Sequence, residues 1–415
     1  MTSVSRESTT STVPLWRNRD YLLLWSGQTI SSIGSGVSTL AFPLLALSLT
    51  HSPAIAGLMG ATRAIPYLLI SLPAGALADR WNRKLVMWIC DAMRAVALSS
   101  VALGMLFRFL TVPQLFVVTF IEGTLFVLFD LAEVASLPQV VATEQLPAAF
   151  GQNQATLGVA SLIAPAVGGV LFAVVPFAPF AVDALSYLVS VGTLLAIRTR
   201  FQQERQQQIF HLGRDIREGV VWLWGQPLLR YMALLTGGNN LIFAGIDLIL
   251  IVLLQHRGAT STLIGLVFAI SGIGGILGSF VGSFVQKRMS FPQVVIGTLW
   301  GTAIAFCGYI VFANFIAIGI TSAIVFFLGV LYNVVVVSYR LRLIPDALQG
   351  RVNSIYRLIT YGSLPIGAAL TGWLVQQIGV YPTLLIVVIA LVGLALTTFN
   401  SLVRNAPSSP VIAVN

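Results

Sequence analysis

Twelve long apolar runs, each ended by a short polar or charged stretch, leave this chain few ways to fold. They fall at about 21–49, 53–78, 85–108, 112–137, 153–175, 178–198, 230–254, 262–286, 292–312, 315–338, 355–378 and 381–403. A helix needs ~20 apolar residues to cross ~30 Å of hydrocarbon, and each run supplies about that length. Inside hydrocarbon every backbone N–H and C=O must be satisfied within its own segment, so the runs are helices. Soluble domains carry roughly 25% charged residues; this chain carries 9%, against 57% hydrophobic. The expected fold class is an all-α membrane protein with antiparallel neighbours. Residues 1–20 are polar and rich in Ser and Thr. The first apolar run is long enough to span, so a retained helix is expected and not a cleaved signal peptide.

The cations orient the spans. Of 23 Lys and Arg, two (Arg108 and Arg257) fall in loops on one side and two (Arg63 and Arg94) lie within spans. The other nineteen collect on the side that holds the N-terminus. Basic loops stay in the cytoplasm, so both termini are expected there, in a multi-pass protein of the cell (inner) membrane. The net charge of +9 is thus a topology signal, and nucleic acid is not an expected partner. Cys90 and Cys307 both sit inside apolar runs and read as small core residues.

The longest connection, Thr199 to Leu229, is rich in Gln, Arg and Glu and falls at mid-chain. It divides the protein into a tail (1–20), a six-helix bundle (21–198), a cytoplasmic linker (199–229), a second six-helix bundle (230–403) and a tail (404–415). Within the linker, Asp215 to Trp224 can form an amphipathic helix on the membrane surface, although a solvated linker explains its composition equally well. The halves look related. Ser52-Pro-Ala-Ile-Ala-Gly57-Leu58 aligns with Thr260-Ser-Thr-Leu-Ile-Gly265-Leu266, and Asn153 precedes Pro165 by the same interval as Asn353 precedes Pro365. Parallel repeats of six spans are a feature of two-bundle transporters.

The densest charge cluster near an apolar segment in the first half is Gly75-Ala-Leu-Ala-Asp79-Arg80-Trp-Asn82-Arg83-Lys84. It resembles the loop after the second helix of the major facilitator superfamily, with Asn82 in place of a glycine; Asn tolerates left-handed backbone angles, which keeps the turn available. Leu24-Trp-Ser-Gly-Gln28, Ala64-Ile-Pro66, Asp91-Ala-Met-Arg94, Phe180 to Tyr187, and Gly350-Arg351 with Pro365 match that superfamily in order and spacing. The branch they resemble is that of drug:proton antiporters, which includes macrolide-efflux and enterobactin-export proteins. The resemblance implies two pseudo-symmetric bundles of the major facilitator fold. It also implies a latch of Gly75, Asp79, Arg80 and Arg83, with Arg83 pairing Asp130 or Glu133 near the end of the fourth helix. Ala164-Pro165-Ala166-Val167-Gly168-Gly169 resembles an exporter signature in which Pro165 bends the helix and Gly168 and Gly169 allow close approach; a generic small-residue packing face is the other reading.

Acids inside spans are costly and point to function. Asp91 and Arg94 stand one turn apart and read as a structural ion pair. Glu122 has no partner on its own helix, and Arg63 is at similar depth. Asp247 follows Gly237-Gly-Asn239-Asn240, a run expected to loosen the seventh helix, and Asp183 is placed near the outer end of the sixth, facing the interface. A desolvated carboxylate exchanges protons nearer neutral pH, so Glu122, then Asp247, with Arg63 as partner, are the proton-coupling candidates; a structural role is the alternative for each. The first helix carries Gln28, Thr29, Ser31, Ser32, Ser35, Ser38 and Thr39, a polar face turned to a cavity or to another helix. Gln28, Ser32, Asn239 and Asn240 are the substrate-cavity candidates. The chain holds no Gly-x4-Gly-Lys-Ser/Thr phosphate loop, so ATP is not the expected fuel. Its three histidines (His51, His211, His256) have no metal spacing, which weighs against an enzyme. The reading is a monomeric transporter without cofactor, exporting small amphipathic organic compounds for protons across the lipid bilayer. The alternatives are an exporter of one physiological substrate, such as a siderophore or lipid, and a non-transporting sensor or scaffold.

Overall fold

The structure is a computed structural model that describes residues 14–78, 82–199, 201, 212–345, 348–399 and 401–405. α1 (Arg19–Thr50), α2 (Pro53–Ala78), α3 (Arg83–Leu106), α4 (Val112–Val140), α5 (Leu146–Val174) and α6 (Ala178–Ala196) pack together as one bundle. α7 (Leu212–Gly225) is the linker helix. The second bundle holds α8 (Pro227–Phe243), α9 (Ile246–His256), α10 (Ser261–Arg288), α11 (Phe291–Val311), α12 (Phe315–Leu343), α13 (Gln349–Ile378) and α14 (Val380–Thr397), followed by the single turn α15 (Ser401–Arg404). Among the described residues twelve helices are long and apolar enough to cross a membrane, with α8 and α9 together forming the seventh. Val96, Ile304 and Ile389 are 71%, 69% and 69% exposed. Such residues are tolerable outward only where lipid replaces water. Cys307 shares that exposed face of α11 with Ile304 and is not a core residue, whereas Cys90 is buried.

Helix starts follow local chemistry. Asn18, Thr111 and Thr260 accept backbone N–H groups at the heads of α1, α4 and α10, as N-cap residues do. Asn82 does the same for α3, taking the Leu85 N–H at 3.2 Å. Its backbone is extended, φ −65° and ψ 104°, so it serves as a cap and not as the left-handed turn residue expected of it.

The seventh span breaks at Ala244–Gly245, and Gly237 to Asn240 stay helical. α13 crosses at the break: a methyl carbon at Gly245 would stand 2.2 Å from Thr371 Cβ. The expected loosening is therefore displaced to the position where α13 presses closest.

The two bundles meet along α2 with α13 and α5 with α10. A methyl carbon at Gly57 would lie 2.7 Å from Gly372 Cα, and one at Gly169 would lie 2.9 Å from Gly265 Cα, so backbone touches backbone at both crossings. Gly57 and Gly265 are the equivalent glycines of the sequence repeat. Gly168, beside Gly169, meets the Val37 carbonyl of α1. α5 continues through Pro165 without a break. Near these crossings one apolar cluster joins both bundles, from Leu44, Leu98 and Phe180 to Ile249, Ile264 and Phe306. At the end where α1 begins, the cores are separate: Tyr21, Met87 and Phe129 in one bundle, Met232, Val295 and Val352 in the other. The molecule is thus sealed at the end where α1 finishes and divided at the end where it starts.

Candidate functional site

α1 brings small and polar residues to α6 at helical spacing: Gly27, Ser31, Gly34 and Ser38 are all buried. Gly34 is required there, since a methyl carbon would stand 2.2 Å from Ser186 Oγ. Gln28 Nε2 donates to Ser190 Oγ at 3.3 Å, Ser35 Oγ and Tyr187 Oη are 2.7 Å apart, and Ser38 Oγ donates to Asp183 Oδ2. Asp183 is therefore buried inside the first bundle against α1, not at the bundle interface. The adjoining stripe of α1, with Gln28, Thr29, Ser32, Ser35 and Thr39, lines a cavity of about 440 Å³. The polar run faces both a helix and a cavity.

Beneath this wall lies a buried charge cluster. Arg94 is 3% exposed and Glu122 is 1% exposed. Arg94 Nη2 is 3.4 Å from Glu122 Oε2, and its Nη1 is 3.7 Å from Asp91 Oδ1. The guanidinium lies 4.1 Å from the Tyr187 ring centroid, a cation–π contact that supplements the ion pair. The Tyr187 hydroxyl is 3.5 Å from Glu122 Oε2. The partner of Glu122 is thus Arg94 of α3, and the expected pairing with Arg63 is not made. Arg63 Nη1 donates instead to Thr39 Oγ1 at 3.0 Å. The reason is a helix crossing: a methyl carbon at Gly123 would lie 2.0 Å from the Arg63 carbonyl oxygen. α2 therefore covers the Gly123 face of α4, and Glu122, one residue round the helix, turns to α3 and α6.

Further along α4, Asp130, Glu133, Val134 and Leu137 form a stripe on the same cavity wall, with Trp25, Phe126 and Phe150 nearby. Arg83 reaches α4 but donates to the Ala135 carbonyl at 2.6 Å, on the side of the helix away from that stripe. Among the described residues neither Asp130 nor Glu133 has a hydrogen-bond or ion-pair partner. The expected Arg83 pairing with these acids is absent from this conformation because they face the cavity. Gly75 lies in the last turn of α2, while Asp79 and Arg80 lie outside the described residues.

A second cavity of about 510 Å³ adjoins the first, sharing Arg63, Phe126 and Asp130, and opens between the bundles. Its far wall is Arg357 and Tyr361 of α13. Arg357 Nη2 donates to the Tyr67 hydroxyl across the bundle boundary, and its guanidinium lies 5.6 and 5.7 Å from the Tyr67 and Tyr361 ring centroids. In the sequence Arg357 is one of nineteen cations on the side of the N-terminus and nothing marks Tyr67; the available signal is Tyr361, one turn beyond Arg357. Gln28 and Ser32 line the first cavity. Asn240 does not line either cavity, because its Nδ2 donates to the Thr360 carbonyl at 2.9 Å inside the second bundle. Asn239 and Asp247 line neither cavity; Asp247 is exposed in the first turn of α9.

Two six-helix bundles sealed at one end around a polar central cavity, with charge buried beside it, have the architecture of a transporter of the major facilitator type. Residues 9–415 match the model of the transmembrane secretion effector family, and the chain belongs to that family of the superfamily. It is 26% identical over 375 residues to macrolide efflux protein A of Streptococcus pyogenes, covering 88% of this chain and 91% of that one. It is 24% identical over 381 residues to the multidrug efflux pump Tap of Mycolicibacterium fortuitum, covering 88% and 91%. Among solved structures, a mutant of the nucleoside transporter NupG superimposes with a TM-score of 0.78 at 14% identity, covering 92% of this chain and 99% of that one.

Proposed function

We propose that this protein exports small amphipathic organic compounds, macrolide-like molecules and other drugs among them, in exchange for protons, by alternating access. The observation that carries the reading is the Arg94–Glu122 pair, buried beside the cavity wall. One guanidinium faces two carboxylates, Asp91 and Glu122, so the cluster is neutral only when one of them holds a proton. With both ionised, one buried carboxylate is left uncompensated, at a cost of about 3–5 kcal/mol. That is enough to shift a conformational equilibrium by roughly two to four powers of ten, so the arrival or departure of a proton at Glu122 can select between two states of the bundles.

The cation distribution supports a cytoplasmic location for both termini and the 199–229 linker, and the proposed working unit is a monomer in the cell membrane with bundles over 21–198 and 230–403. In that orientation the divided end faces the cytoplasm, and the present conformation is inward-open. Cargo enters from that side. Trp25, Phe126 and Phe150 offer it apolar surface, and Gln28, Ser32 and Asn153 offer hydrogen bonds. Asp79 and Arg83, with Asp130 and Glu133, form the latch of the outward-open state; the position of Arg83 in the inward-open state, on the Ala135 carbonyl and away from both acids, is consistent with that assignment. The similarity to a macrolide efflux protein and a multidrug efflux pump supports export over uptake. The test is reconstitution: Glu122→Gln should keep downhill movement of cargo and lose accumulation driven by a pH gradient. Wild-type accumulation by Glu122→Gln would remove the coupling role.

A further inference from the structure

Glu122 is buried and forms no part of either cavity wall, so a proton reaches it only through other groups. Two side chains that line the cavity lead towards it, Arg94 and Ser35. Arg94 touches Glu122 directly, but a guanidinium keeps its protons in proteins and cannot pass one on. Ser35 Oγ stands 2.7 Å from the Tyr187 hydroxyl, and that hydroxyl stands 3.5 Å from Glu122 Oε2. Tyr187 is fully buried and has its ring held by Arg94, so its hydroxyl is fixed between the two oxygens. We infer that Ser35 and Tyr187 form a hydroxyl relay through which Glu122 exchanges its proton with the cavity. This rests on Glu122 being the proton carrier.

The step balances. A hydronium in the cavity gives a proton to Ser35 Oγ, Ser35 passes its own to Tyr187 Oη, and Tyr187 passes its own to the Glu122 carboxylate. Three O–H bonds break and three form, and the net change is one proton moved to Glu122. Rotation of the two hydroxyls resets the chain, and release runs in reverse. The Tyr187–Glu122 separation exceeds the usual O–H···O distance of about 2.7–2.8 Å. Transfer therefore waits for α6 and α4 to close slightly, which ties proton exchange to the movement of the bundle.

Tyr187→Phe keeps the ring against Arg94 and removes only the hydroxyl; Ser35→Ala removes the cavity-side link. Both belong in proteoliposomes with ethidium or labelled erythromycin as cargo, whichever the wild-type protein moves. Each variant should slow pH-gradient-driven transport by roughly 100-fold, the lower end of the range for a positioned proton-transfer group. Cargo counterflow, which needs no proton exchange, should stay within about twofold of wild type in Tyr187→Phe, since Tyr187 is part of neither cavity wall. The links are in series, so the double variant should be no slower than the slower single one, unlike independent sites whose effects add. Driven transport at the wild-type rate in both variants overturns the relay, as does counterflow lost in proportion to driven transport in Tyr187→Phe, which marks a structural role. A wild type that moves neither compound, or Glu122→Gln that still concentrates cargo, overturns the parent reading and the relay with it. Glu122→Gln inactive in driven transport with Tyr187→Phe fully active overturns the relay alone.

Discussion

Arg94 is the residue on which the first bundle's buried charges converge. It serves Asp91, Glu122 and the Tyr187 ring together. Removing it leaves two carboxylates without their cation, whereas Glu122→Gln leaves Arg94 with Asp91. Arg94→Ala should therefore cost about 3–5 kcal/mol of stability, seen as a lower Tm and yield in detergent, while Glu122→Gln should fold close to normally. Equal Tm values for the two variants would contradict this account of the cluster. Arg63, bonded to Thr39, should be dispensable for proton coupling: Arg63→Ala should still concentrate cargo under a pH gradient. The Asp91–Arg94 contact was legible in the sequence because a three-residue spacing on a helix is local. The Arg94–Glu122 contact was not, since it depends on which faces of α3 and α4 meet. Depth alone pointed to Arg63, and the close crossing at Gly123 decided otherwise.

At the scale of elements, four glycines set the geometry of closure. Gly57 against Gly372 and Gly169 against Gly265 bring α2 to α13 and α5 to α10 at backbone contact. A larger side chain at these crossings overpacks the sealed end, at about 1–3 kcal/mol per site. If the other conformation opens there, Gly57→Val should shift the population toward it by roughly 5- to 150-fold, readable as faster labelling of a single cysteine placed in the sealed cluster. Unchanged labelling in a folded Gly57→Val protein would show that the crossing does not set the equilibrium. Asn82→Ala tests a smaller matter: loss of the α3 cap should cost about 1 kcal/mol in thermal stability. The repeat that pairs Gly57 with Gly265 was visible in the sequence because both glycines sit in matching contexts. Their partners were not, and neither was the break at Gly245, because helix crossings between distant spans leave no local signature. The Pro365 match lay close to Gly372 without identifying it.

At the scale of the whole molecule, the two bundles are alike in fold and unlike in chemistry. The first buries Asp91, Glu122 and Asp183. The second fills the corresponding region with hydroxyls, Thr236 bonding Tyr332 and Tyr356 at 2.9 and 3.0 Å, and with Arg340 3.9 Å from the Tyr356 ring centroid. Among the described residues the buried acids thus belong to one half. Twelve spans and two bundles were legible because apolar length and loop charge are properties of the chain itself. Their relative opening, the two adjoining cavities and the Tyr67–Arg357 contact across the boundary came only from the packed structure. Orientation has its own check: a single cysteine at Gln208 should label from the cytoplasmic side only, and labelling from outside alone would reverse the cavity's direction. The central claim, that Glu122 exchanges a proton for each movement of cargo, is tested most directly by recording cargo and pH together in proteoliposomes with a trapped pH dye. Wild type should move protons opposite to cargo, and Glu122→Gln should move cargo downhill with no proton flux. Uphill transport without proton movement, or an undiminished proton flux in Glu122→Gln, would contradict it.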